Sequence, residues 1–191
     1  MRWVANGTAD GGAHYIRGVV MGGFAEFVAE AGGDPIALAE KAGFSRNVLR
    51  EPDGLISWAR LGVLMDLAAV ELDRPSLGLD WAASVPSHFP NVGPVLLMAY
   101  FVETAREWVE AVTQYWRYHT NAFTLQLLDD QTSPHIIFRY HSEPLAPATC
   151  QQMEYMLGTA CRMARAMTDR DENPTVVRFR HGRPLDTALH D

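Results

Sequence analysis

Residues 104–141 read TAREWVEAVTQYWRYHTNAFTLQLLDDQTSPHIIFRYH, and the period of the apolar positions changes once inside this stretch. With Trp108 at zero and about 100° per residue, Ala105, Trp108, Val109, Val112, Tyr115, Trp116 and His119 share roughly one third of a helix circumference. Arg106, Glu107, Glu110, Thr113, Gln114 and Arg117 occupy the remainder. Thr104 and Glu107 have the spacing of a capping box, so the helix start is fixed by chemistry as well as by period. After His119 the period becomes two: Phe123, Leu125 and Leu127 alternate with polar residues. Past the Asp129-to-Thr132 turn, Ile136, Phe138 and Tyr140 alternate with Ile137, Arg139 and His141. The stretch therefore predicts a helix followed by a two-stranded hairpin, with aromatics and a histidine on the enclosed face.

Working outward, the sequence predicts helices over Tyr15 to Ala31, from Pro35 to near Gly43, over Trp58 to Leu72 and over Leu77 to Val85. Gly32-Gly33 supplies a stop, and Asp34 followed by Pro35 supplies a cap with proline in the first turn. A short turn follows Ser45 and ends at Pro52-Asp53-Gly54. A loop over residues 86–94 leads to a short apolar helix, Val95 to Phe101. Beyond the hairpin, Pro147 and Thr149 open a long helix expected to bury Cys150, Met153, Met156, Leu157, Ala160, Ala164 and Met167 and to expose Glu154, Arg162 and Arg165. A last strand is expected over Thr175 to Phe179. The class is α+β: a helical N-terminal half packed on a small, mainly antiparallel sheet flanked by two long helices.

A chain of 191 residues with 48% hydrophobic and 20% charged residues has the composition of one globular domain. The expected organisation is a lead-in over residues 1–14, one domain over 15–184 and a tail or linker start over 185–191. No window is apolar enough for a membrane helix and the first residues lack a signal-peptide pattern, so a cytoplasmic location without membrane partners is expected. The net charge of −7 argues against direct nucleic-acid binding, which needs a basic stripe to neutralise phosphate. Cys150 and Cys161, about 16 Å apart on one helix, are expected to be apolar packers.

Residues 38–49, LAEKAGFSRNVL, have helix-turn-helix spacing, which leaves a small DNA binder as an alternative. Pro52 cuts the second helix too soon to fill a major groove, so a structural helix pair is the expected reading. No nucleophile elbow, phosphate loop or dinucleotide fingerprint is present, and His135 and His141 are about 20 Å apart along a strand. Neither an enzyme nor a metal site nor a cofactor is expected. His119 stands out because it lies within an apolar stripe. It reads either as a core histidine satisfied by a backbone carbonyl or as a polar contact at the rim of a cavity. Trp108, Tyr115, Trp116, His119, Phe138, Tyr140, Met153 and Met156 are the candidate ligand-binding residues. Aromatics with polar tips beside adjustable methionines are what lines a pocket for a small, mainly apolar molecule.

Short signatures in order along the chain carry a resemblance. They are Ala31-Gly32-Gly33-Asp34-Pro35, Lys41-Ala42-Gly43-Phe44, Asp53-Gly54-Leu55-Ile56, Pro75-Ser76-Leu77-Gly78-Leu79, Gly93-Pro94, Thr104-Ala105-Arg106-Glu107, Tyr115 to His119, and Val176-Val177-Arg178-Phe179-Arg180-His181. From about Tyr15 to Pro184 the chain resembles the N-terminal effector-binding domain of one subgroup of AraC/XylS-type transcription regulators. The resemblance implies a small-molecule effector, a homodimer, and DNA contact only through a C-terminal helix-turn-helix part missing from this chain. A stand-alone sensor, including a haem-type one with His119 or His88 as axial ligand, is the alternative of a different class.

Overall fold

The computed structural model describes residues 14–86, 101–129, 136–142, 148–168, 176–179 and 182. The order is β1 (Tyr15–Arg17), a 3-10 turn (Gly18–Met21), α1 (Phe24–Glu30), α2 (Pro35–Lys41), a 3-10 turn (Val48–Arg50), β2 (Leu55–Ser57), α3 (Trp58–Glu71) and α4 (Leu77–Ser84). Then come α5 (Ala105–Tyr115), a 3-10 turn (Trp116–Tyr118), the hairpin β3 (Phe123–Asp129) and β4 (Ile136–Ser142), and α6 (Cys150–Thr168). The expected helix over Val95 to Phe101 and the candidate ligand His88 lie outside the described residues, Phe101 excepted. The α+β class stands. Among the described residues its strands form two separate two-stranded antiparallel sheets, β1 with β2 and β3 with β4.

The helix expected over Tyr15 to Ala31 is corrected. Tyr15, Ile16 and Arg17 pair with Ser57, Ile56 and Leu55. The chain becomes helical only after Gly23, whose φ of +78° is a left-handed conformation that a side chain resists. The helical spacing of Ile16, Val19 and Val20 is therefore spent on a strand and a tight turn. α2 and α3 start where their caps place them. Asp34 Oδ1 accepts from the amides of Ile36 (2.9 Å) and Ala37 (3.1 Å), and Ser57 Oγ accepts from the Arg60 amide (3.3 Å), each satisfying donors that a helix start leaves open.

The core lies between these helices: Trp58, Leu61, Leu64 and Met65 of α3, Phe24 and Val28 of α1, Leu38 of α2, and Leu77 and Trp81 of α4 are all buried. Phe24 meets Trp81 edge-on at 5.0 Å, and Trp81 stacks on Tyr155 of α6 at 4.0 Å.

The face that α6 buries is not the one its apolar residues suggest. Gln151, Gln152, Glu154 and Tyr155 are buried, whereas Cys150 is exposed and Cys161 half-buried. The reason is the set of backbone groups beneath the helix that its polar side chains meet. Ser76 makes no side-chain cap for α4, and Gln151 replaces it: its Oε1 accepts from the Gly78 amide and its Nε2 donates to the Pro75 carbonyl, each at 2.7 Å. Gln152 Nε2 donates to the Trp58 carbonyl at 2.9 Å, Tyr155 Oη to the Val20 carbonyl at 3.0 Å, and Arg162 to the Val85 carbonyl at 2.8 Å. Arg162, expected on the outside, is thus part of the attachment. Buried backbone groups need partners, and here that need outweighs the apolar pattern.

The expected hairpin forms, with Leu127 opposite Phe138 and Leu125 opposite Tyr140. β1 ties it to the N-terminal half: the Arg17 amide donates to the His119 carbonyl at 3.0 Å, the Asn121 amide to the Tyr15 carbonyl at 3.3 Å, and the Tyr15 amide to Asn121 Oδ1 at 2.7 Å. The last strand expected over Thr175 to Phe179 is not formed by residues 176–179. Val176 and Val177 are both exposed, so the alternation that would have buried one face is not realised.

Candidate functional site

α5 starts as its sequence dictates. Thr104 Oγ1 accepts from the Glu107 amide, and Glu107 Oε2 accepts from the Thr104 amide, both at 3.2 Å. From this fixed start the helix carries Trp108, Val112 and Trp116 to its buried side, and the 3-10 turn after Tyr115 brings His119 to the same side. α5 packs on β3 and touches α6.

Tyr115 does not join them. It is 38% exposed and stacks on Tyr118, ring centroids 6.3 Å apart. At about −20° from Trp108 it lies at the margin of the apolar arc, where a large ring can turn outward onto a neighbouring one. This corrects its expected place on the enclosed face.

His119 is 1% exposed. Its ring lies 4.8 Å from that of Trp116, which lies 5.5 Å from Phe123, which in turn lies 5.3 Å from Trp58. Four rings from the start of α3, the 3-10 turn and the start of β3 thus form one cluster. Burial lowers the His119 pKa to about 3, with the Arg17 guanidinium adding to the effect, so the imidazole is neutral across the physiological range.

Three polar atoms on this side of α5 have no hydrogen-bond partner: Trp108 Nε1, Trp116 Nε1 and His119 Nδ1, all buried. The carbonyl expected to satisfy a core histidine is absent at Nδ1. Buried polar atoms left unpaired are uncommon in native folds, because each costs the desolvation of a group that gains nothing in return.

Of the other candidate residues, Met153 and Met156 are half-buried on α6, and Met156 packs against the core. The side chains of Phe138 and Tyr140 lie outside the described residues. The cluster of Trp58 and Phe123 and the anchors Gln151 and Gln152 were not anticipated. One signal was present: Thr149 and Gln152 have capping-box spacing, and the Thr149 amide does donate to Gln152 Oε1 at 2.9 Å.

An open groove of about 520 Å³ lies elsewhere, lined by Asp66, Ala69, Val70, Asp73, Pro75 and Gln151. None of the candidate residues lines it. Burial raises the Asp66 pKa, while a hydrogen bond with Thr149 opposes the shift.

The helix-turn-helix lookalike is not one. α2 ends at Lys41, and Val48–Arg50 is a single 3-10 turn with Val48 buried, too short to read a major groove. Its basic residues are engaged within the chain, Lys41 with Glu71 and Arg46 with Glu40. Among the described residues no three His, Cys, Asp or Glu side chains are placed to hold a metal ion, and no helix is long and apolar enough to cross a membrane.

The family described as the arabinose-binding domain of AraC transcription regulators, N-terminal, matches residues 32–191. Two relatives, the HTH-type transcriptional regulator VirS of Mycobacterium tuberculosis strains CDC 1551 / Oshkosh and ATCC 25618 / H37Rv, are each 27% identical over 167 residues. The alignment covers 87% of this chain and 48% of each relative. The chain thus spans about half the length of the curated relatives it matches.

Proposed function

Since the chain belongs to the family of N-terminal arabinose-binding domains of AraC transcription regulators, we propose that it senses a small molecule at the buried side of α5. The observation that carries this reading is the set of three buried, unpartnered nitrogens of Trp108, Trp116 and His119. Polar groups held without partners in an apolar setting are what a ligand's own polar groups would complete. Phe138, Tyr140, Met153 and Met156 complete the proposed lining, and the ligand is mainly apolar because, among the described residues, no inward cluster of Arg or Lys faces this side. Tyr115 lies outside it.

The ring cluster gives such a site a route to the rest of the domain. Trp58 contacts Phe123 through its ring and holds Gln152 of α6 through its carbonyl, so displacement at Trp116 and His119 would be felt at the α6 anchor. The VirS relatives are named as HTH-type regulators, and in a protein of that length the response would pass to a DNA-binding part outside this chain. The domain pairs with a second copy through the outer faces of its long helices. By itself it binds DNA weakly and without sequence preference.

The test is the variant His119→Ala. Effector affinity by calorimetric titration should fall by more than the melting temperature would suggest. Unchanged affinity with a large loss of stability would assign His119 to the core alone.

A further inference from the structure

The geometry points to an uncharged effector with an apolar body that meets the indole N–H groups of Trp108 and Trp116 through hydrogen-bond acceptors alone, as the oxygens of ketones, esters or lactones would. This rests on the reading of the α5 face as the effector site and adds the chemistry that the site selects.

An indole N–H can donate a hydrogen bond and cannot accept one. Two of the three unpartnered atoms are such donors, so they are completed by acceptors and by nothing else. They stand eight residues apart on one helix face, about 12 Å along the axis at 1.5 Å per residue. This suits an acceptor placed at the Trp116 and His119 end, an apolar body lying along Val112 and, in a longer ligand, a second acceptor at Trp108.

The third atom, His119 Nδ1, belongs to an imidazole that stays neutral until about pH 3. It offers no positive charge to a carboxylate. The nearby Arg17 has its Nε on the Tyr118 carbonyl at 3.1 Å. A carboxylate buried at the indoles would therefore lose its hydration in return for neutral donors, with Arg17 held by that bond at an exposed position. A pentose fits no better, although the family carries arabinose in its description. Each of its hydroxyls brings a donor as well as an acceptor, and two of the three protein atoms have nothing to accept with. Most of its hydroxyl protons would be buried unpaired.

The experiment uses the 191-residue chain and calorimetric titration with octan-2-one, acetophenone, octanoate, octylamine and L-arabinose. At least one ketone should bind, at least ten-fold tighter than octanoate, octylamine and arabinose. Trp116→Phe should weaken it about ten-fold. In unaltered protein labelled with 15N-tryptophan, the Nε1–H signals of Trp108 and Trp116 should move on ketone addition, which gives a readout independent of whether the variant folds.

Tighter binding of octanoate, octylamine or arabinose that is lost in Trp116→Phe would overturn the acceptor chemistry and leave the site in place. Ketone binding that moves neither indole signal would overturn the site itself. Failure of both ketones to bind at millimolar concentration would overturn the inference.

Discussion

Gly78 of α4 and Gln151 of α6 meet with no room between them: the Gly78 amide donates to Gln151 Oε1 at 2.7 Å, and a Cβ built on Gly78 would stand 2.2 Å from the Gln151 backbone carbonyl oxygen. The obstruction is backbone, which cannot rotate away as a side chain could. The same Cβ would also stand 3.0 Å from the Tyr155 amide nitrogen. Gly78→Ala should therefore push α6 off α4 and cost about 3 kcal/mol, read as a lower urea midpoint. A neutral result would mean that α6 is free to slide on α4.

Gln152 serves two elements at once. Its amide nitrogen donates to Trp58 and its oxygen accepts from Thr149. Gln152→Leu keeps most of the volume and removes both hydrogen bonds, one of them buried. We expect a loss of about 2 kcal/mol. Thr104→Ala, which removes one exposed cap, should cost about 1 kcal/mol. Chemical denaturation of the two variants side by side tests the ordering.

The buried imidazole makes stability depend on pH in a definite direction. The His119 pKa is about 3 in the folded chain against an ordinary 6.5, so between these values the unfolded chain binds the proton and the folded one does not. Stability must then fall as pH is lowered from about 6.5 toward 3, by up to about 1.4 kcal/mol per pH unit from this group. Above 6.5 both states are neutral and the contribution is flat. His119→Gln should remove this component of the slope. Equal slopes for the two proteins between pH 4 and 6 would show that His119 titrates normally.

The sequence resolved the elements whose ends carry their own chemistry. Asp34 with Pro35, Ser57, and Thr104 with Glu107 each placed a helix start correctly, because a cap is a local interaction between residues two or three apart. The hairpin was legible because alternation and a polar turn agree. What could not be read is non-local. Tyr15 to Arg17 is a strand only because residues 55–57 and 119–121 offer it partners. The buried face of α6 follows from its hydrogen bonds to backbone groups of α3 and α4, and apolar periodicity carries no record of those. At the candidate site, the burial of Trp116 and His119 was legible from spacing alone. Their missing partners were not, since satisfaction of a nitrogen is a property of the packed fold.

Trp108 and Tyr115 are seven residues apart on α5, and spacing places both in its apolar arc. The fold separates them: Trp108 is 7% exposed and Tyr115 is 38% exposed. Truncating the first removes a large ring from the interior, so Trp108→Ala should cost about 3 to 5 kcal/mol. Truncating the second removes a ring stacked on Tyr118 at the surface, and Tyr115→Ala should cost less than about 1 kcal/mol. Tyr115→Ala should also leave ketone affinity unchanged, since the ring stacks on Tyr118 at the surface. Thermal melts and titrations of these two variants are the measurements. Similar costs for both, or a loss of affinity in Tyr115→Ala, would place Tyr115 back on the enclosed face and enlarge the site by one aromatic residue.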